Sequence, residues 1–233
     1  MQKPLSELVE TWLRWDQNDE TKREIIQLRD AGNHAELEKR LCKRIEFGTA
    51  GLRGRMQAGF SSMNCLTVIQ ASQGLAKYVQ AANGGIETPA VVIGHDSRHN
   101  SAKFARLAAN AFLAQKIKVF MFSCSSPTPF VPFSILRKGA SAGVMVTASH
   151  NPARDNGYKV YLENGAQINT PADGQIAHEI EQNLAPWEAA WADPESHDLF
   201  QFEQFEEVVK LYTGTIKAYL VTCFFFNHLH AEF

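Results

Sequence analysis

The sequence has few features of secreted, membrane-bound or nucleic-acid-binding proteins. Its four cysteines include no Cys-x-x-Cys pair, so neither a disulfide framework nor a zinc ribbon is predicted. The first residues contain no apolar segment of the kind that a secretory signal needs. The apolar stretch 219–226 is far shorter than the ~20 residues that cross a bilayer. A formal net charge of −2 gives no general attraction to nucleic acid. We therefore expect a cytoplasmic globular protein that binds neither nucleic acid nor membrane, and whose local arginines and lysines must hold any anionic ligand.

The pattern of apolar residues predicts an α/β fold with a helical amino-terminal extension. Apolar residues recur at helical spacing through residues 5–45. Further along, apolar runs typical of buried strands alternate with helical segments. The predicted strands are residues 90–94, 118–122 and 142–146, and the predicted helices are 64–82, 102–115, 173–184 and 200–220, with a short helix within 127–136 and a hairpin at 158–168. Strands separated by helices indicate a helix-flanked, mostly parallel mixed sheet.

The most informative segment follows the third predicted strand. Ser149 and His150 come directly after the apolar run 142–146, and Asn151-Pro152 favours a sharp turn there. The carboxyl ends of strands in open α/β sheets are where ligands bind. Lys159 lies ten residues after the serine. A hydroxyl nucleophile, a ring base and a cation so close together indicate a covalent phosphoryl relay.

Four segments have the composition of anion-binding sites. They are residues 48–54, with three glycines, Thr49 and Arg53; residues 94–98, with Asp96 and Arg98; residues 147–151; and residues 156–159. Each has a simpler interpretation on its own, as a plain turn, a surface ion pair, or a helix cap beside a core histidine. No Walker loop is present, and no G-x-S-x-G elbow surrounds the serine, which argues against a serine hydrolase. The joint occurrence of the four segments favours the functional interpretation.

Taken together, the segments resemble the first domain of the α-D-phosphohexomutases. The matching motifs are E-F-G-T-A-G-L-R-G (46–54), G-H-D-S-R (94–98), T-A-S-H-N-P (147–152) and N-G-Y-K (156–159). Three further stretches are similar to the phosphoglucomutase type 2 and phosphopentomutase branch, which includes the glucose-1,6-bisphosphate synthases. These are W-L-R-W-D (12–16), S-P-T-P-F-V-P-F (126–133) and V-Y-L-E-N-G-A-Q-I (160–168). The resemblance covers about residues 5 to 220.

The resemblance implies an intramolecular phosphotransferase. Such an isomerase interconverts sugar 1-phosphates with 6- or 5-phosphates through a phosphoserine and a bisphosphate intermediate. Ser149 matches the phosphorylated serine, and its phosphate would bind Mg²⁺, while a sugar bisphosphate would act as activator. His150 and Lys159 match residues proposed to handle protons and neutralise charge. The residues implied to bind phosphate or substrate are Thr49, Arg53, Asp96, Arg98 and Asn151. Hexose and pentose phosphates both remain possible substrates, and the oligomeric state is left open.

The sequence departs from the family in its carboxyl-terminal part. Family members have four domains, and their magnesium loop of D-G-D-x-D-R type lies in the second. No D-x-D occurs in this sequence. We expect a helical extension at 1–45, domain I at 46–190, and a linker with the start of domain II at 191–233, its tail atypical from about residue 221. The expectation is a truncated mutase with little or no activity. The alternative is a non-catalytic phosphosugar-binding or interaction remnant of domain I.

Overall fold

The amino-terminal segment forms three short helices with a small core of their own. The computed structural model describes residues 3–49, 51–82, 84–85 and 88–229, with side chains described to residue 220. The helices predicted within residues 5–45 are present as α1 (Leu5–Trp15), α2 (Asp19–Asp30) and α3 (His34–Leu41). Asn33 caps α3, because its side chain accepts a hydrogen bond from the Glu36 amide. Trp12 is fully buried and packs edge-on against Phe60, with ring centroids 5.2 Å apart.

A six-stranded mixed sheet forms the centre of the molecule. Its strands are β1 (Leu52–Arg55), β2 (Ala90–His95), β3 (Lys118–Phe122), β4 (Ala142–Val146), β5 (Asp155–Leu162) and β6 (Phe200–Glu203). They lie in the order β1-β5-β4-β2-β3-β6. The four strands β4, β2, β3 and β6 are parallel, whereas β5 is antiparallel to both of its neighbours. The predicted mostly parallel mixed sheet is therefore confirmed.

Helices cover both faces of the sheet. They are α4 (Cys65–Ala81), α5 (Ser101–Leu113), α6 (Phe130–Lys138), α7 (Ala172–Gln182) and α8 (Phe205–Leu229), with two 3₁₀ helices at Glu188–Trp191 and Pro194–Ser196. Val91 and Ile93 of β2 face the core under α4, α5 and α7, while Val92 between them faces the core under α6 and α8. Because both faces are buried, the central strands are continuous apolar runs. This explains why sequence alone located them.

Two of the sequence predictions were wrong in detail. The helix expected from residue 200 begins at Phe205, because residues 200–203 pair with β3 as an edge strand. Glu203, at the end of β6, has a fully buried side chain that forms ion pairs with Arg137 and Lys138 of α6. The hairpin expected at 158–168 is also incomplete. Its turn forms, but the returning segment makes only an isolated bridge between Tyr161 and Gln167.

The remainder of the chain does not alter this architecture. Helix α8 continues through part of the segment that looked atypical, and nothing is described of the side chains from residue 221 or of residues 230–233. Within the described ranges, every helix is too short or too polar to cross a membrane. The division into extension, domain I and linker stays a prediction.

Candidate active site

The loops that follow β2 and β4 enclose an open cleft. The chain leaves β2 for β3 on one side and returns to β4 on the other side, so the two loops diverge at the carboxyl edge of the sheet. Such a reversal of strand order is where open α/β sheets bind ligands. The cleft has a volume of about 510 Å³ and is lined by Asp96, Ser97, Arg98, His99, Ser149, Asn151 and Ala153. Predicted site residues from two separate sequence segments thus meet in one place.

Ser149 is exposed, on a tight turn three residues beyond β4. Its φ of 55° lies in the left-handed region, which a non-glycine residue adopts only when its surroundings hold it there. The Ser149 amide donates to Thr147 Oγ1 at 2.9 Å, and this hydroxyl donates to Asp96 Oδ2 at 2.6 Å. The Asn151 amide closes the turn on the Ala148 carbonyl at 3.0 Å. The turn therefore holds the serine out of the sheet, as predicted.

Asp96 joins the two loops. Its Oδ1 accepts hydrogen bonds from the Arg98 amide at 3.0 Å and from Ser101 Oγ at 2.6 Å. Asn156, at the start of β5, donates in turn to Ser101 Oγ at 3.0 Å. Because both carboxylate oxygens already accept hydrogen bonds, Asp96 acts as a structural anchor of the serine loop.

Arg98 also contacts the serine loop, through its guanidinium. The Nη1 atom donates to the carbonyl oxygens of Pro152 at 2.9 Å and Asp155 at 3.3 Å. The Nη2 atom donates to those of Ser149 at 2.6 Å and Asn151 at 2.8 Å. The Arg98 side chain therefore donates hydrogen bonds to four carbonyl groups within seven consecutive residues.

Arg53 and Lys159 supply positive charge with free donors. Arg53 is exposed on β1, opposite Gly157 of β5, and Lys159 is partly buried two residues further along β5. Burial lowers the pKa of Lys159, the nearby Arg53 guanidinium lowers it further, and Asp96 partly opposes this effect. The strand register places Arg53 and Lys159 near each other on adjacent strands. Among the described residues, neither cationic side chain has a hydrogen-bonding or ion-pair partner.

The remaining predicted residues lie around this cluster. His150 is exposed beside Ser149, and Asn151 Nδ2 donates to Asp155 Oδ2 at 3.1 Å. Thr49 is exposed in a turn, and its carbonyl accepts from Gln167 Nε2 at 3.1 Å. In the described residues no hydrogen bond joins Thr49 to the serine loop, and its role stays a prediction. Ala50, in the same predicted loop, lies outside the described residues.

Sequence reasoning missed three supporting side chains. Thr147 and Asn156 enter the sequence analysis only as members of their motifs, although the Thr147 hydroxyl links Asp96 to the serine amide. Ser101 and Asn156 connect the start of α5 to β5. A hydroxyl residue two positions before the serine was the signal available for Thr147. No sequence pattern indicated the pairing of Ser101 with Asn156, which are 55 residues apart.

The described residues do not form a metal site. No group of three histidine, cysteine or carboxylate side chains in the described ranges could hold an ion. Asp96, the carboxylate that lines the cleft, is engaged by Thr147, Ser101 and Arg98. The predicted magnesium contact through a phosphate on Ser149 would have no cluster of carboxylates to complete it in this part of the chain.

Comparison with known proteins agrees with this geometry. Residues 44–186 match the model of the phosphoglucomutase/phosphomannomutase alpha/beta/alpha domain I. The chain is 50% identical to a phosphopentomutase of Mus musculus over 188 residues, which is 78% of this chain and 30% of that protein. It is 47% identical to a glucose 1,6-bisphosphate synthase of Homo sapiens, with the same coverage of each chain, and 45% identical to a phosphoribomutase of Saccharomyces cerevisiae, covering 93% of this chain and 36% of that one.

A solved structure shows the same fold. A phosphoglucomutase/phosphomannomutase family protein from Burkholderia thailandensis superposes with a TM-score of 0.51 at 22% identity, covering 68% of this chain and 32% of that chain. The chain thus spans about a third of the length of the proteins that it matches.

Proposed function

Since the chain belongs to the phosphoglucomutase/phosphomannomutase family, we propose that it carries the phosphoryl-accepting serine of a sugar-phosphate mutase. Ser149 is the nucleophile in this proposal. The supporting observation is its exposed position on a turn fixed by Thr147 and Arg98, at a topological switch point of the sheet. The substrates would be hexose or pentose phosphates, as the names of the relatives suggest.

In the proposed reaction, a phosphoryl group passes from the sugar to Ser149 and from Ser149 back to the sugar. In the first step, Ser149 Oγ bonds to a phosphorus of a sugar bisphosphate, the bond from that phosphorus to a sugar oxygen breaks, and the serine proton passes to that oxygen. This step leaves a sugar monophosphate. In the reverse step, the phosphoserine transfers its phosphoryl group to a hydroxyl of a sugar monophosphate, the proton of that hydroxyl passes to Ser149 Oγ, and the bisphosphate is regenerated. Isomerisation results when the phosphoryl group added to the sugar and the one later removed are at opposite ends. Such transfers depend on positioning and charge neutralisation more than on a strong nucleophile. The sugar bisphosphate is therefore both phosphoryl donor and activator.

Arg53 and Lys159 are placed to supply the charge neutralisation. Their donors are free in the described structure, and they lie on adjacent strands beside the Asp96 anchor. The lowered pKa of Lys159 raises the fraction of neutral amine before a phosphate arrives, so this residue can also accept a proton. His150, exposed next to the nucleophile, is the second candidate for proton transfer.

Magnesium enters the proposal only as a partner of the phosphoserine. Because the described residues lack a carboxylate cluster, they do not by themselves fit a Mg²⁺ site. Carboxylates from outside the described part of the chain would have to complete its coordination. No step of the mechanism is therefore assigned to the metal.

Intact mass spectrometry tests the proposal directly. The purified chain is weighed before and after incubation with glucose 1,6-bisphosphate or ribose 1,5-bisphosphate, each with and without Mg²⁺. We expect one phosphoryl group to be added to the native chain and none to Ser149→Ala. Addition that persists in Ser149→Ala would refute the assignment of the nucleophile. A folded native chain that binds the bisphosphate without accepting phosphate would instead support the alternative, a non-catalytic phosphosugar-binding domain.

A further inference from the structure

The guanidinium of Arg98 has no Nη–H donor left for a ligand, and its Nε faces a carboxylate. An arginine side chain offers five N–H groups in a fixed plane. Four of them point to the carbonyl oxygens of Ser149, Asn151, Pro152 and Asp155, and Nε lies 3.2 Å from Asp96 Oδ2. The side chain is only 15% exposed. Phosphate bound directly by this arginine would have to displace hydrogen bonds that already exist.

We infer that Arg98 is a positioning residue that sets the conformation of the serine loop, and that it does not bind phosphate directly. This inference rests on the proposed role of Ser149 for its functional meaning. Its structural content, the fixation of residues 149–155, is independent of that role.

The loop needs a cation at this place for an electrostatic reason. Four carbonyl dipoles converge there with their negative ends together, which is unfavourable without a compensating positive charge. One of these carbonyls belongs to Ser149, the residue with the left-handed backbone. Removal of the guanidinium would free the carbonyls to turn away, and Ser149 would lose one of the contacts that hold its φ of 55°.

The substitution Arg98→Lys distinguishes a positioning role from direct phosphate binding. Lysine is an effective phosphate ligand because it acts as a point charge. It has only three N–H donors and lacks the planar fork, so it cannot reach four carbonyls and a carboxylate at once. Arg98→Lys should therefore preserve phosphoryl transfer if Arg98 binds phosphate, and should fail like Arg98→Met if it positions the loop.

The first test needs no variant. In the proton NMR spectrum of the native chain with labelled arginine, a clamped guanidinium gives separate, slowly exchanging Nη–H signals, since its rotation is hindered. We expect such signals for Arg98, assigned by their nuclear Overhauser contacts to the backbone of residues 149–155, and no change when inorganic phosphate is added. One averaged Nη–H signal, or a saturable shift with phosphate, would overturn the inference.

The second test compares Arg98→Lys, Arg98→Met and the control Arg154→Met. Arg154 is an exposed arginine of the same loop whose side chain has no partner among the described residues. We expect both Arg98 variants to shift the backbone amide signals of residues 147–157 and to slow phosphorylation of Ser149 by about 10²-fold, as a misplacement of ~1 Å does. The control should retain the native spectrum and rate.

The outcomes separate this inference from the proposed function. A native rate in Arg98→Lys, or unchanged loop amides in both Arg98 variants, would refute positioning. If the native chain itself accepts no phosphate, the proposed function fails. Even in that case, the NMR signals of the guanidinium and of the loop amides decide whether Arg98 holds the loop. If the Arg98 variants do not fold, the NMR test on the native chain still decides it.

Discussion

Substitution of Gly157 by alanine tests how tightly the site is built into the sheet. A Cβ at this position would lie 2.6 Å from the carbonyl oxygen of Thr147 and 2.9 Å from that of Leu52. Both obstacles are backbone atoms on flanking segments, so no side-chain rotation relieves the overlap. Overpacking of this kind costs about 1–3 kcal/mol, and weakening of the hydrogen bond from the Thr147 amide to the Gly157 carbonyl adds about 1 kcal/mol.

The expected loss is therefore about 3 kcal/mol, which lowers the melting temperature of a chain of this size by about 6–12 °C. Thermal unfolding followed by circular dichroism measures it. Gly174→Ala is the matched control, because Gly174 lies in α7 with ordinary φ and no atom within 4 Å of the added methyl group. The control should stabilise the protein by about 0.5–1 kcal/mol. A melting temperature of Gly157→Ala equal to that of the native chain would refute the close approach of Gly157 to its neighbours.

Two further predictions concern charged groups. Arg53→Met should raise the pKa of Lys159 because it removes a nearby positive charge. Burial, the largest cause of the shift, should still keep this pKa below its usual value. NMR titration of labelled lysine measures the pKa, and an unchanged value would show that the two cations do not interact. Arg137→Met should destabilise the protein by about 3 kcal/mol in urea unfolding, because it weakens the pairing of the fully buried Glu203 carboxylate. The control Arg106→Met, which breaks two exposed ion pairs, should lower the free energy of unfolding by less than about 1 kcal/mol. An equal loss of stability in Arg137→Met and Arg106→Met would contradict the burial of Glu203.

The central strands could be predicted from sequence, whereas the outer strands could not. The apolar runs at 118–122 and 142–146 coincide with β3 and β4, since strands buried on both faces leave a continuous hydrophobic pattern. Strand β1 has the sequence Leu-Arg-Gly-Arg and shows no such pattern, because its pairing depends on β5 about a hundred residues further along. Strand β6 has four residues and leads almost directly into α8. Its short pattern of alternating apolar and polar residues is therefore included in the predicted helix.

The candidate site shows the same division between local and long-range information. The serine turn follows from local signals, a buried strand followed by a polar turn with Asn-Pro, and its position was predicted correctly. The hydrogen bonds from Thr147 to Asp96 and from Arg98 to the loop join residues more than 50 positions apart. No pattern in a single sequence encodes such pairs, since they depend on which strands become neighbours in the sheet. The role of Arg98 therefore emerged only from the structure.

The cations around Ser149 differ in what their donors can do. The four Nη–H donors of Arg98 are occupied by the protein and its Nε is paired with Asp96, whereas the donors of Arg53 and Lys159 are free in the described residues. A guanidinium whose donors are occupied by the protein can hold a loop but cannot stay in contact with a phosphoryl group during its transfer from serine to sugar. A cation with free donors can keep that contact but does not fix the loop. Since phosphoryl transfer requires both positioning and charge neutralisation, the two kinds of cation perform complementary tasks at one site. This separation makes the loop rigid before any ligand binds and leaves positive charge available for the phosphate.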